Sequence, residues 1–499
     1  MPATQPRDMK FRGLLRTGRG AALLLLMLAS AGCNRRPDSG AVIVSAIGGP
    51  LRMADPDRRP LDTSERLTLD SLAQGLVRFD ATGQIEPGLA ERWTVIDDGM
   101  TYIFRLRRAT WPDETPVSAE EVVAALRRHV APRSSNPLAP FLTAVDAIVA
   151  MTPEVIEVRL KRPRPDLLSL FAQPEMALLR PRGTVGTGPF RVIQAGIAPL
   201  LRPAPDPDRD PDQEVRDDAA NDVRLIGESA AMAVARFAAR RSDLVEGGTF
   251  ADWPLVAAAQ VAPVNIRTDT ASGLFGLAIL SRDGFLADPR NRAALSEAVD
   301  RAAVLDAVQP GWTPTETLLP DQLDSSLPPA AAPWTAQALA ERRLAAAAQV
   351  ALWPGPPVRL RLALPDAPGG RLLFARLAAS LASIGVTLDR VAPGAPAELA
   401  LVDAVAPYDS ARWYLATACR ACGDQAAAAL IAARDAPTLA ERSRLIAAAD
   451  AALTADASFI PLARPLRWSL VAQRLTRWTP NARAWHPLNR LRATTTSVP

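Results

Sequence analysis

Histidine is scarce in this chain of 499 residues, with His129 and His486 as its two examples. Two histidines in ordinary settings are too few for a histidine-based catalytic triad or for a metal site with histidine ligands. His129 falls at the predicted C-terminus of a helix, where a histidine on the surface is the expected interpretation. The sequence offers no converging nucleophile, base and metal ligands, so we expect neither an enzyme nor a cofactor.

An excess of positive charge is also lacking once the N-terminal residues are set aside. The whole chain has 57 Lys and Arg against 53 Asp and Glu, but residues 1–32 hold five of the basic and one of the acidic residues, which leaves 52 of each. A clustered positive face is what nucleic-acid binding requires. We therefore expect no nucleic acid among the partners.

Long hydrophobic runs are missing too, and the apolar run at residues 21–28 is short. Crossing a bilayer takes about 20 apolar residues. Because five basic residues precede this run and small residues follow it, residues 1–32 are predicted to be a cleaved export signal. Met9 is an alternative start that gives a more ordinary basic region.

The residues Ser30, Ala31 and Gly32 before Cys33 resemble a bacterial lipobox. This resemblance implies cleavage before Cys33, a lipid on its sulfur, a polar tether over residues 33–40 and a periplasmic location on the inner or outer membrane. Ser30 departs from the pattern, which prefers Leu at that position. The alternative is ordinary secretion with Cys33 as a plain residue.

The length of the chain predicts two or more domains, since a single hydrophobic core stops growing near about 250 to 300 residues. Residues 41–47 form a continuous apolar run that is typical of a buried strand. Residues 358–364, 370–384 and 386–391 follow a strand, helix and strand pattern. Such alternation predicts an α/β fold with mixed, mostly parallel sheets.

Residues 83–123 contain the most informative local pattern. Trp93 and Val95 precede an Asp-Asp-Gly turn, and residues 101–106 alternate apolar and polar side chains. This order predicts a β-hairpin with one buried face. Ser118 followed by Glu121 predicts a capped helix start.

The motifs PGLAERW, DDG, TYIFRLR and WPDETPVSAEEV, in this order within that segment, closely resemble the oligopeptide- and dipeptide-binding family of extracytoplasmic solute-binding proteins, which serve ABC transporters. GTGPF at residues 186–190 and the helical pattern at residues 287–301 carry the same resemblance. Glu114, Asn291 and Ala294 depart from the family pattern. Leu280-Ser281 stands near the place where the family has an Asn at the hinge, which could alter hinge or ligand contacts.

The resemblance implies a two-lobe periplasmic binding protein fold of type II with an extra subdomain in lobe I. Lobe I would comprise residues 41–78 and 185–273, and the subdomain would comprise residues 79–184. Lobe II would comprise residues 274–473. Residues 474–499 would return to lobe I and form the C-terminal tail.

The resemblance also implies capture of a peptide or related organic solute between the lobes, by a monomer that delivers it to the permease subunits of an ABC importer. In the family, an Asp near the cleft holds the amino terminus of the peptide, and Pro407 stands at that position here. Asp409 could still pair with an ammonium group and Arg412 with a carboxylate. The alternative is that these two side chains pair with each other on the surface. The candidate ligand-binding residues are Tyr408, Asp409, Arg412 and Trp413.

Cys419 and Cys422 are separated by two residues, and no second pair exists to complete a zinc site. In an oxidising compartment a local disulfide that braces a loop is the favoured interpretation. Free thiols and a redox or metal function are the alternatives.

Two functions from other classes remain open. A hydrolase would need a converging catalytic group, which the sequence does not provide. A sensory or structural lipoprotein with the same fold and no transported peptide is the stronger alternative, because the hinge and amine-binding positions depart together from the family pattern.

Overall fold

The computed structural model describes residues 40–180, 186–204, 221–321 and 323–491. The predicted export signal, Cys33 and the tether up to residue 39 lie outside the described residues. The described strands, in chain order, are β1 (Val42–Ile47), β2 (Val77–Phe79), β3 (Ile85–Pro87), β4 (Ala90–Ile96), β5 (Thr101–Leu106), β6 (Val145–Thr152), β7 (Val155–Leu160), β8 (Phe190–Gln194), β9 (Leu200–Pro203), β10 (Val223–Glu228), β11 (Leu244–Thr249), β12 (Ile266–Thr268), β13 (Gly273–Ile279), β14 (Arg359–Ala363), β15 (Thr387–Val391), β16 (Leu399–Val405), β17 (Phe459–Ala463) and β18 (Arg467–Val471).

The α-helices alternate with these strands along most of the chain. No helix in the described ranges combines the length and the apolar composition that a membrane crossing requires. The described helices are α1 (Thr63–Leu72), α2 (Ala119–His129), α3 (Leu167–Phe171), α4 (Ala230–Ala238), α5 (Trp253–Ala258), α6 (Pro289–Ala298), α7 (Arg301–Asp306), α8 (Leu339–Ala351), α9 (Pro368–Ala382), α10 (Ala411–Ala418), α11 (Asp424–Asp435) and α12 (Leu439–Asp456).

Lobe I is built on a seven-stranded mixed sheet with the order β12-β18-β11-β1-β10-β9-β8. The predicted apolar strand at residues 41–47 is confirmed as β1, which pairs in parallel with β10 and β11 at the centre of the sheet. β18 already pairs antiparallel with β11 and β12. The chain therefore returns to lobe I by Arg467, earlier than the predicted residue 474.

The subdomain contains a four-stranded antiparallel sheet with the order β4-β5-β7-β6. The predicted hairpin is confirmed as β4 and β5, with Tyr102, Phe104 and Leu106 buried on the inner face. α2 begins with the predicted capping box, in which Ser118 and Glu121 each accept a backbone N–H from the other. These short-range sequence signals determine the local structure of the subdomain at the hairpin and at the start of α2.

Lobe II is built on a five-stranded mixed sheet with the order β15-β14-β16-β13-β17. The predicted strand, helix and strand are confirmed as β14, α9 and β15, and β14 also pairs in parallel with β16. Parallel strands occupy one side of the sheet, whereas β13 pairs antiparallel with β16 and β17. The predicted helix at residues 287–301 divides into α6 and α7, because Asp300 leaves the helical conformation and caps Ala303.

Two crossovers, residues 269–272 and residues 464–466, join the lobes in sequence. The first crossover follows β12 and the second leads into β18, and these two strands are paired side by side in lobe I. Leu280-Ser281 lies at the opposite end of β13 from the first crossover. The departure from the family pattern at Leu280-Ser281 is therefore away from the hinge, because the seven residues of β13 separate the two positions.

Candidate functional site

The subdomain meets lobe II along a contact that we call the seam. The Nε2 of Gln173 donates to the carbonyl oxygen of Pro407 at 2.6 Å, and the rings of Phe141 and Tyr408 meet edge to face. We define the seam by Phe141, Arg162, Arg164, Asp166 and Gln173 of the subdomain and by Asp324, Pro407, Tyr408, Ser410, Arg412, Arg442 and Asp435 of lobe II.

The local sequence explains why residues 406–412 reach the seam. β16 ends at Val405, and Pro407 has no N–H with which to continue a sheet. α10 then starts at Ala411, whose N–H donates to Oδ1 of Asp324 at 2.7 Å. A carboxylate at a helix N-terminus is electrostatically favourable, so Asp324 fixes the start of α10 and with it the direction of the residues around Tyr408.

Tyr408 is fully buried in the seam. Its hydroxyl group has no hydrogen-bond partner among the described residues. Burial raises the pKa of Tyr408 to about 12, so the hydroxyl stays protonated at neutral pH and can donate. A buried hydroxyl without a partner carries a desolvation cost that an acceptor would remove.

Arg412 is buried beside Tyr408 and lies over the ring of Phe141, with the guanidinium carbon 5.6 Å from the ring centroid. Its Nη1 atom is buried and has no hydrogen-bond partner in the described part of the chain. Burial, together with repulsion from Arg164 and Arg442, lowers the pKa of Arg412 to about 10. Arg412 therefore remains charged at neutral pH.

Arg164 faces Tyr408 from the subdomain and is 2% exposed. Its backbone carbonyl accepts from the Tyr102 hydroxyl at 2.7 Å, which fixes the backbone. Its guanidinium makes one long contact, 3.5 Å from Nη2 to the carbonyl oxygen of Phe141. Burial lowers the pKa of Arg164, and burial raises the pKa of the nearby carboxyl of Asp166 to about 6.

Arg442 and Arg162 are the two seam arginines that have carboxylate partners. Arg442 binds Oδ2 of Asp324 at 2.6 Å and donates to the hydroxyl oxygen of Ser410 at 2.8 Å. Arg162 lies 3.6 Å from Oδ1 of Asp435, whose side chain is half-exposed. These pairs tie α12 and α11 to the seam.

The structure brings Tyr408 and Arg412 together, but it separates the other two predicted residues from them. Asp409 is exposed and forms an ion pair with Arg483. The predicted alternative of a surface pair between Asp409 and Arg412 is therefore wrong, because Arg412 is buried and Asp409 is held by another arginine. Trp413 is buried on α10, where its ring contacts Tyr414.

Sequence reasoning missed Arg164, Asp166 and Phe141. A signal was available at residues 161–166, Lys-Arg-Pro-Arg-Pro-Asp, where charged residues alternate with proline directly after β7. Proline at alternate positions prevents a helix and holds the chain extended. The sequence of this segment is typical of a rigid charged loop, but it does not indicate that Arg164 faces Arg412 across the seam.

The two histidines have structural partners. His129 lies at the C-terminus of α2 as predicted, but the expectation of a surface position is wrong, because its side chain is buried and paired with Asp57. Its Nδ1 lies 2.8 Å from Oδ1 of Asp57. His486 is buried with its Nε2 3.2 Å from Oδ2 of Asp269. Among the described residues, no three His, Cys, Asp or Glu side chains are grouped as a metal site would require.

Cys419 and Cys422 form a disulfide in the structure, directly after α10. The following residue, Gly423, donates its N–H to Oδ2 of Asp456 at 3.0 Å. The disulfide thus closes the turn between α10 and α11. The two helices that this turn joins carry the seam residues Arg412 and Asp435 at their far ends.

A cavity of about 680 Å³ lies within lobe II, away from the seam. Its walls come from α6, from the C-terminal half of α12 and from residues 330–334, and they are mostly apolar. Glu297 and Glu316 are the acidic side chains on its wall, and Glu316 is paired with Arg342. The cavity is a second candidate site for a solute, distinct from the seam.

Comparison with known proteins gives one family. The sequence model described as "Bacterial extracellular solute-binding proteins, family 5 Middle" matches residues 84–391. Haemophilus influenzae OppA, solved in complex with RPPGFSPFR, has a TM-score of 0.75 and 16% identity over 91% of this chain and 99% of that chain. The Escherichia coli murein tripeptide binding protein MppA has a TM-score of 0.75 and 19% identity over 91% and 98%.

Similarity at the sequence level is confined to part of the chain. The probable deoxycholate-binding periplasmic protein YgiS of Escherichia coli K12 is 34% identical over 140 residues, which cover 24% of this chain and 26% of YgiS. The alignment thus spans about a quarter of that relative. The two solved structures, in contrast, resemble this chain over nearly their whole length and have the same two-lobe fold.

Proposed function

The chain belongs to the bacterial extracellular solute-binding proteins, family 5, and from this membership we propose that it is the extracytoplasmic substrate-binding component of an ABC importer. It captures a peptide or a related organic solute at the seam and presents it to the permease subunits. OppA is named a periplasmic oligopeptide-binding protein, MppA a murein tripeptide binding protein, and YgiS a probable deoxycholate-binding protein. These names describe binding proteins, and the proposal assigns binding rather than catalysis to this chain.

One observation carries the proposal. The seam buries the hydroxyl of Tyr408 and Nη1 of Arg412 without a hydrogen-bond partner among the described residues. Buried polar groups are almost always satisfied in proteins, and each exception calls for an explanation, of which a missing ligand or ion is one. A solute at the seam would provide the missing partners. We therefore assign Tyr408 and Arg412 to solute contacts and Asp409 to the exposed rim, with Trp413 supporting α10 from the core.

The mechanism follows from the two crossovers. A ligand that contacts both the subdomain and lobe II favours the arrangement in which they meet, and it shifts the population only through contacts made there. Arg164 and Arg412 come from opposite sides of the seam, so one solute that binds both would hold the lobes together. Residues 269–272 and 464–466 would absorb the rotation.

Attachment to the membrane is a separate part of the proposal. A lipid on Cys33 would hold the protein near the permease on the outer side of the membrane. The test is metabolic labelling with a fatty-acid analogue of the whole chain and of its Cys33→Ser variant. Label in the first alone supports the anchor, whereas label in neither favours ordinary secretion.

The main test uses residues 34–499 purified without denaturant. Native mass spectrometry would identify a co-purified solute, and thermal unfolding would measure its effect after removal and return. A solute at 100 times its Kd stabilises the folded state by about 2.7 kcal/mol. If neither a co-purified solute nor a peptide mixture nor a cell extract raises the Tm, the proposal fails and a sensory or structural role with the same fold replaces it.

An Ala293→Leu variant distinguishes the seam from the cavity in lobe II. Ala293 lines that cavity, so the larger side chain would project into it, reduce its volume and leave the seam unchanged. Solute binding at the seam should survive this substitution. Loss of binding in Ala293→Leu, with binding retained in Arg412→Gln, would place the solute in the cavity instead.

A further inference from the structure

The arginines of the seam outnumber the carboxylates that neutralise them. Arg442 is paired with Asp324 and Arg162 with Asp435. In the described ranges, no carboxylate lies within ion-pair distance of Arg164 or Arg412. Two buried guanidinium groups therefore approach the seam from opposite sides without a carboxylate at ion-pair distance, and the charge of Asp166 acts on Arg164 from further away.

This arrangement is costly for the protein alone. A buried charge is tolerated when it is paired and hydrogen-bonded, and an unpaired one loses its hydration without compensation. Arg164 is 2% exposed and Arg412 is 7% exposed. The hydroxyl of Tyr408 lies with them and also has no acceptor in the described part of the chain. All three groups are donors, so they share a need for the same kind of partner.

We propose that the solute is an organic anion whose carboxylate or phosphate oxygen atoms are held by Arg164, Arg412 and Tyr408. The inference rests on the proposed function, because it names the chemical class of the solute at the same site. A planar guanidinium binds either oxyanion through parallel N–H···O bonds. An anion between the two arginines would neutralise both sides of the seam and would join them.

The same residues argue against recognition of a free amino group. Pro407 has no carboxylate, and the carboxylate of Asp409 is exposed and occupied by Arg483. Asp324 and Asp435 are occupied by Arg442 and by Arg162 with Arg434. Asp166 is the remaining seam carboxyl, and its buried Oδ2 has no hydrogen-bond partner within the described ranges. One aspartate against two unpaired arginines leaves the seam positive.

The experiment compares probes that differ in one charged group. Trialanine has both termini, N-acetyl-trialanine lacks the amine, trialanine amide lacks the carboxylate, and glycerol 3-phosphate supplies a phosphate. Thermal shifts and calorimetric Kd values would be measured for the chain of residues 34–499. We expect stabilisation by N-acetyl-trialanine or glycerol 3-phosphate and none by trialanine amide. The probe that binds more tightly identifies the source of the oxyanion.

Variants then connect the effect to the seam. Arg412→Gln and Arg164→Gln should each weaken anion binding by tenfold or more, while the Tm without a probe stays the same or rises because an unpaired buried charge is removed. Arg359→Gln is the control, since Arg359 is an exposed arginine of β14 that is paired with Asp389 of β15. If a glutamine variant fails to fold, Arg412→Lys keeps the charge and should show an intermediate affinity.

The outcomes separate this inference from the proposed function. Binding of trialanine amide equal to that of trialanine, or of a neutral or cationic co-purified solute, overturns the inference and leaves the binding function standing. A lower Tm without any probe, combined with unchanged affinity in Arg412→Gln, would show a purely structural arginine and also overturns it. If no probe, co-purified solute or extract binds, both proposals fail together.

Discussion

Phe141 of the subdomain and Tyr408 of lobe II meet edge to face across the seam, with ring centroids 5.8 Å apart and ring planes inclined by 67°. This is a favoured geometry for two aromatic rings. Phe141 also supports Arg412, whose guanidinium carbon lies over the same ring. One half-buried side chain thus connects the two sides of the seam and orients a candidate solute contact.

The Phe141→Ala variant should therefore bind its solute more weakly. An edge-to-face pair contributes about 0.5–1.5 kcal/mol beyond its buried area, so we expect Kd to rise roughly three- to tenfold. Isothermal titration with the solute identified by native mass spectrometry would measure the change. Trp353→Ala is a matched control, because it removes the edge-to-face pair of Phe285 and Trp353 in lobe II. An equal loss of affinity in both variants would contradict the role of Phe141.

Asp456 should be among the most sensitive positions for stability. It accepts hydrogen bonds from Arg282 and from Arg292, and Arg292 is fully buried. Asp456→Asn leaves that guanidinium without its counter-ion, so we expect a loss of about 3–5 kcal/mol in the free energy of unfolding. Urea unfolding would measure it. Asp389→Asn, at an exposed pair with Arg359, is the control and should lower the free energy of unfolding by about 1 kcal/mol or less. An equally small loss in Asp456→Asn would refute the prediction.

Asp450 predicts a pH dependence of stability. Burial raises its pKa to about 6, while one backbone N–H, that of Ala330, donates to its carboxyl at 2.7 Å. Because the pKa in the folded state exceeds the unfolded value of about 3.9, the folded protein binds the proton more tightly. Stability from this group is present at low pH and is lost as the pH rises from about 4 through about 6.

Asp450→Asn should therefore stabilise the protein by up to about 3 kcal/mol at pH 8 and have a much smaller effect at pH 4. Chemical unfolding at a series of pH values between 4 and 8 would measure this difference. Asp146→Asn, at a largely exposed aspartate, is the control and should show no such trend. A constant effect of Asp450→Asn across the series would contradict an elevated pKa.

The disulfide between Cys419 and Cys422 should contribute a modest amount of stability, because it closes a short loop. Chain entropy predicts about 2 kcal/mol for a loop of this length. The free energy of unfolding of the Cys419→Ser/Cys422→Ser variant should be lower by that amount, which urea unfolding would measure. Thiol titration of denatured residues 34–499 should find no free thiol before reduction and two after it. Two free thiols in the unreduced protein would support the alternative of free cysteines.

Features encoded by neighbouring residues could be predicted from the sequence. The hairpin of β4 and β5 needs a turn and a period of two, and the start of α2 needs Ser118 and Glu121 three residues apart. Motif resemblance extended this to the two-lobe fold, because the order of several motifs was specific. These signals all act within about ten residues.

The seam could not be predicted in the same way. Arg164 and Arg412 are far apart in sequence, and their approach from opposite sides of the seam depends on how the subdomain packs against lobe II. Pairing of β18 with β11 is a similar case, with Leu470 opposite Val245. The sequence of a short apolar strand does not indicate which other strand it pairs with. The sequence therefore places the return to lobe I at residue 474, seven residues after the start of β18 at Arg467.

The position of β18 also determines when lobe I can finish folding. β18 lies between β11 and β12 and is the described strand that pairs with β12. Its partners precede it by about two hundred residues, so the loop that closes this part of the sheet contains all of lobe II. Closing so long a loop is slow and costs entropy before any contact rewards it. A chain that emerges from its N-terminus therefore leaves lobe I incomplete until residue 471 is available, and lobe II, whose sheet is built from residues 273–463, can fold first.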